Sequence, residues 1–153
     1  MAVTMTGEVV LPADKATVWA RLNDAETLKA SIPGCESLDR LSDSELQAVA
    51  KVKIGPVSAR FKGKVNLSDM DPPNSYRISG QGDGGIAGFA RGGANVKLTD
   101  SAGGGTTLHY DVDAQVGGKI AQLGGRLIDS TAKKLADEFF ANFAKALGGN
   151  AQA

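Results

Sequence analysis

The chain of 153 residues is 42% apolar and 22% charged, the balance of a soluble globular domain and not of a disordered tail or a membrane bundle. Seventeen basic and seventeen acidic side chains cancel to zero net charge, which argues against DNA or RNA as a partner. One His and one Cys rule out an internal disulfide and leave few ways to assemble a nucleophile with its base or a closed zinc site, so neither catalytic residues nor a metal is expected.

From Thr4 to Leu11 a short β-branched alternation predicts a strand. Pro12 to Leu22 places Ala16, Trp19 and Ala20 at helical spacing, and Asn23 with Glu26 resembles the capping box of a second short helix ending near Ile32. Pro33-Gly34 is a turn, and Cys35-Glu36 leads back into extended structure. Leu46 to Ile54 and Val57 to Leu67 alternate cleanly around Gly55-Pro56. Asp71 to Asn74 turns the chain again, and Tyr76 to Asp83, Ala90 to Asp100 and Thr106 to Val116 complete an antiparallel meander with no crossover helices. After Gly117 the period changes to three and four residues, predicting one amphipathic helix of about 30 residues with Gly124-Gly125 inside it and Gly148-Gly149 as its stop. Residues 1–149 are thus read as one domain and 150–153 as a frayed tail. The fold class is α+β, a helix-grip arrangement: a curved antiparallel sheet of about seven strands, two short helices, and a long C-terminal helix over an apolar cavity.

Strand parity directs small residues toward that helix: Ala48, Ala50, Ala59, Gly63, Gly80, Gly82, Ala94 and Ala114. Packed interiors fill to a density of about 0.74, so the released space is taken by close approach of the helix, by large side chains opposite, or by a ligand; glycine-assisted curvature with a filled core is an equal alternative. The run Gly82 to Gly93 lacks the strand, helix and acidic residue of a dinucleotide site and reads as a mobile hairpin whose Phe89 and Ile86 either close a pocket mouth or touch a membrane. His109, Asp111 and Asp113 share a strand face at two-residue spacing, but parity turns them outward among solvated charges, as expected of surface residues and not of a metal or acid–base site. Cys35 has no activating neighbour in sequence and reads as an inert thiol; Trp19 reads first as a core anchor.

Several words in order resemble the CoxG family of carbon monoxide dehydrogenase accessory proteins, within the START-like (SRPBCC) superfamily: Thr6 to Val9, Leu11 to Ala13, Ser31 to Ser37, Lys53 to Val57, Phe61 to Val65, the aspartate-proline turn with Tyr76, Asp111 to Lys119, Ala121 to Gly124 and Leu135 to Phe140. The resemblance implies a START/Bet v 1-like fold and a cytoplasmic accessory protein at the inner face of the cell membrane. It implies as partner a molybdenum-containing carbon monoxide dehydrogenase or a related hydroxylase, and as ligand a quinone, menaquinone or ubiquinone, or another apolar molecule, with no covalent cofactor.

On that reading the cavity walls are Trp19, Leu22, Phe61, Tyr76, Ile78, Tyr110, Val112, Leu123, Leu127 and Phe139, with Gly63 and Gly80 providing room and Phe89 on the lid. Loading is expected to need opening of that lid or a shift of Gly117 to Gly125. The alternative is a ligand-free adaptor that docks the dehydrogenase at the membrane through exposed helix faces or the Ile32 to Glu36 loop.

Overall fold

In the computed structural model, which describes residues 1–149, the chain runs β1 (Ala2–Leu11), α1 (Lys15–Leu22), α2 (Ala25–Ser31), β2 (Cys35–Ser42), β3 (Glu45–Ile54), β4 (Val57–Asp71), β5 (Ser75–Asp83), β6 (Phe89–Asp100), β7 (Thr106–Gly117) and α3 (Gly125–Ala146). The predicted frayed tail at 150–153 lies outside the described residues.

The two short helices start on a repeated local signal, an aspartate three residues before a threonine. The Asp14 carboxylate accepts from the Thr17 amide at 2.8 Å, and Asp24 accepts from the Thr27 amide at 3.2 Å and the Thr27 hydroxyl at 2.6 Å, in each case satisfying a donor that a helix start leaves open. The hydrogen bond to threonine holds both carboxyls below their ordinary range. Asn23, expected to open α2, instead closes α1, its Nδ2 donating to the Trp19 carbonyl at 2.9 Å.

The seven strands form one curved antiparallel sheet in the order β1-β7-β6-β5-β4-β3-β2. From β2 to β7 each strand pairs with its successor, as the turn signals predict. The closing pair is non-local: β1 lies beside β7, with Ala2 opposite Gln115 and Leu11 opposite Thr106. β4 runs on to Asp71 through an irregularity between Ser68 and Asp71, where Asp69 has a positive φ of 51°.

α3 covers 22 residues, roughly 33 Å at 1.5 Å per residue, and is shorter than predicted because Gly124, at φ 94°, separates it from a 3-10 turn over Lys119–Leu123. An L side chain rarely adopts that conformation, so the glycine makes the corner. α3 crosses the sheet toward α1 and α2, and Asn142 Nδ2 donates to the Ser31 carbonyl at 3.1 Å, tying α3 to the end of α2.

The buried apolar residues separate into two clusters. One gathers Leu11, Val18, Leu22, Leu98, Leu108 and Phe143 where α1, α2 and the end of α3 meet the sheet. The other gathers Val3, Ala87, Val116, Ile120 and Ile128 at the opposite strand ends, where the Gly55-Pro56 turn, the 3-10 turn Gly85–Ala87 and the start of α3 come together.

Candidate functional site

Two apolar cavities lie between the sheet and α3. The smaller, about 180 Å³, is bounded by Leu22 and Leu28 below α1 and α2, by Tyr76, Ile78 and Tyr110 from the sheet, and by Phe139 and Phe140 from α3. The larger, about 280 Å³, is bounded by Val52, Phe61 and Ala114 from the sheet, Ile120 from the 3-10 turn, and Ile128 and Leu135 from α3. Val112 is common to both, so one strand residue stands between the two spaces. A separate depression of about 590 Å³ on the outer sheet face is polar, with Asn66, Gln81, Arg91 and Asp113 on its rim.

Aromatic geometry stiffens the smaller cavity. Phe140 stacks on Tyr110 at 5.3 Å, Phe139 meets Phe140 edge-on at 5.1 Å, and Trp19 meets Tyr76 edge-on at 5.2 Å, arrangements that aromatic quadrupoles favour. Burial raises the Tyr76 phenol far above its ordinary pKa, so it stays neutral. The one polar side chain on the larger cavity, Thr131, turns its hydroxyl to the Leu127 carbonyl at 2.8 Å. The walls therefore carry no charge and no acid–base pair, and an apolar guest is what they suit.

Leu22, Tyr76, Ile78, Tyr110 and Phe139 line the smaller cavity, Phe61 the larger, and Val112 both. Trp19 stands off the walls as a second layer behind Tyr76. Leu127 packs on the Gly55 turn, and Leu123 packs into the second core cluster. Phe89 begins β6 on the face opposite Ala90; its ring lies over Gly117, with the Arg91 guanidinium 5.7 Å from its centroid. Its place is the outer sheet face, not a lid.

Gly63 and Gly80 have a different task from cavity relief. A Cβ on Gly63 would run into the Gln81 backbone of the neighbouring strand, and one on Gly80 would sit 2.8 Å from the Lys64 carbonyl. They let β4 and β5 approach where the sheet bends. Gly63→Ala is expected to cost about 1–3 kcal/mol, seen as a lower denaturation midpoint; an unchanged midpoint would mean that the strand yields freely there. The small residues that do open space are Gly82, Ala90, Ala94 and Ala114, three of them in the predicted inward set. Val52, Ile54, Ile128, Ala132 and Leu135 complete the larger cavity; the alternation of β3 and the three-and-four spacing of α3 held the signal for them.

The outward trio is ordinary surface. His109 Nδ1 pairs with Glu8 at 3.0 Å and Arg77 donates to Asp113 at 3.0 Å. Among the described residues no group of three or more His, Cys, Asp or Glu is placed to hold a metal. The Cys35 thiol, its pKa raised by burial, donates to the Ser37 carbonyl at 3.4 Å. No described helix is long and apolar enough to cross a membrane.

The family model for the carbon monoxide dehydrogenase protein CoxG matches residues 7–148. No curated protein matches the chain. Among solved structures, a conserved protein from Geobacillus kaustophilus is 29% identical with a TM-score of 0.85, covering 97% of this chain and 100% of its own. A START superfamily protein from Mycobacterium smegmatis is 16% identical with a TM-score of 0.68, over 96% of this chain and 97% of its own. The ZhuI aromatase/cyclase from Streptomyces sp. R1128 is 10% identical with a TM-score of 0.70, over 97% and 94%. The last two establish a START-like fold and nothing about activity.

Proposed function

The chain belongs to the CoxG family of carbon monoxide dehydrogenase, and from that premise we propose that it is a non-catalytic accessory protein of a molybdenum hydroxylase of the carbon monoxide dehydrogenase type, holding a quinone or similar apolar molecule between sheet and α3 and linking the enzyme to the membrane quinone pool. The observation that carries the reading is the pair of uncharged cavities that meet at Val112. A cavity of about 150 Å³ is enough for benzene, so 280 Å³ accepts a quinone ring. It falls short of the roughly 300–1,000 Å³ of sites that enclose whole drug-sized ligands, so a long isoprenoid tail must use the second cavity as well or leave by the mouth.

The entrance on this reading is the end of the sheet where two glycine-rich loops meet. Ala87 and Ile120 bury into one cluster, and Gly118 lies so close to Gly88 that a Cβ on it would stand 2.5 Å from the Gly88 Cα. Separating these loops uncovers the Ile120 wall of the larger cavity. Ile86, at the tip, is 92% exposed, and Lys53, Lys62, Arg91, Lys119 and Arg126 belong to the same end of the domain, against Asp83 and Asp129. The opposite turns carry Asp14, Asp43, Asp69, Asp71 and Asp100. Zero net charge thus conceals a polarity that turns the loop end toward an anionic surface, where each nearby cation is worth about 1 kcal/mol.

Ile86→Asp is expected to reduce partitioning onto phosphatidylglycerol vesicles at least fivefold, while phosphatidylcholine vesicles bind neither protein. Equal binding of variant and parent in a sedimentation assay would remove this end as the contact. The reading as a whole is tested by native mass spectrometry and solvent extraction of protein from a quinone-containing host, followed by titration with a short-tailed quinone. A co-purifying or saturably bound quinone supports it; an empty, non-binding protein leaves the ligand-free docking adaptor.

A further inference from the structure

We propose that the cleft between the open edge of β3 and the middle of α3 is a side portal that holds the anionic head of a single-chain amphiphile whose tail occupies the larger cavity. The inference rests on the cavity reading above and adds to it a ligand class and a head-group site.

The geometry begins where β2 begins. The register of β2 with β3 stops at Cys35 opposite Ala50, and the last tie is the Lys51 amide donating to the Gly34 carbonyl at 2.9 Å. From Val52 to Ile54 the β3 backbone is paired with β4 alone. That open edge faces α3 across a cleft of about 430 Å³, bounded by Pro33 and Gly34 on one side and by Lys134, Leu135 and Glu138 on the other. Val52, Thr131 and Leu135 line both this cleft and the 280 Å³ cavity. The partition between water and the apolar interior is therefore one layer of side chains, two of them apolar and the third with its hydroxyl turned away to the Leu127 carbonyl.

The cleft also has a sign. Lys51, Lys53 and Lys134 line it with one acid, Glu138, which lies 4.0 Å from the Lys134 ammonium. Glu36, the next acid along, is held by both the Nε and the Nη2 of Arg60, so it does not neutralise the remaining lysines. A surplus of ammonium groups at the rim of an uncharged cavity is matched by a molecule with an anionic head and an apolar tail, since charge-assisted hydrogen bonds to a carboxylate or phosphate are about twice as strong as neutral ones. A quinone has no charge with which to use them. The shared chemistry is a monoacyl anion, available as a free fatty acid or as a lysophospholipid.

The test is isothermal titration of the full chain, below micellar concentrations, with laurate, lauroyl lysophosphatidate and dodecanol, three probes of similar tail and different head. Laurate or the lysophosphatidate is expected to bind at least tenfold more tightly than dodecanol, and the tighter of the two identifies the source. The triple variant Lys51→Gln, Lys53→Gln, Lys134→Gln is expected to bring the anions to the affinity of dodecanol and leave dodecanol unchanged. Equal binding of anions and alcohol by the parent overturns the portal and leaves the cavity reading standing, as does a triple variant that keeps the anion preference. Failure of all three probes overturns both.

Discussion

Ala132→Phe should abolish binding of a short-tailed quinone, lowering its affinity by more than tenfold, with the fold intact. Ala132 lines the 280 Å³ cavity from α3, on a helix whose backbone is set by its own hydrogen bonds, so the added ring extends into empty space and not into a strand. The helix-propensity cost of the exchange is below about 0.7 kcal/mol, while filling a cavity commonly stabilises by roughly 0.5–2 kcal/mol. The expected result is a protein at least as stable as the parent that no longer titrates. Retained quinone affinity would locate the ligand elsewhere, and loss of stability with loss of binding would show that the space was not free. A bulky residue at Gly63 could not make this distinction, because it would strike the Gln81 backbone first.

Phe143→Ala should be the most damaging single truncation, costing about 3–5 kcal/mol of a total stability that for domains in general is about 5–15 kcal/mol. Phe143 is fully buried and stacks on Phe139 with ring centroids 5.8 Å apart, in the filled cluster where α3 meets α1, α2 and the sheet. Its removal leaves a hole that the surrounding strands cannot close. Urea unfolding should show the loss as a lower midpoint with an unchanged slope. A cost below about 1 kcal/mol would mean that the end of α3 does not hold the domain together, contrary to a core divided into a filled cluster and a hollow one.

That division separates what is legible locally from what is not. Seven strands, two short helices and a terminal helix follow from alternation and turn chemistry, and strand parity suffices to put Phe61, Tyr76, Ile78, Tyr110 and Val112 on cavity walls. Parity fails where one residue changes the phase. Phe89 reads from its glycine-rich surroundings as a loop tip; because β6 starts at Phe89, its side chain takes the face opposite Ala90. On α3, the corner at Gly124 resets the helix, so that Ile128, Ala132 and Leu135 face the larger cavity while Leu127 turns to the Gly55 turn.

The amino-acid sequence by itself determined the order of elements, the polarity of each strand face, and a family identity spread over many short words. These are properties of near neighbours, governed by periods of two and 3.6 and by the turn preferences of Gly, Pro and Asp. Only the tertiary structure decided which small residues make space and which make contact. Gly63 and Gly82 stand opposite each other in register, yet a side chain on the first would meet backbone while the second borders a cavity. The same holds for the pairing of β1 with β7 and for the cationic cleft of Lys51, Lys53 and Lys134, whose members come from separate elements. The physical reason is that empty volume and local charge depend on what arrives from across the sheet, and that is set by curvature and long-range packing, not by the residue's neighbours in the chain.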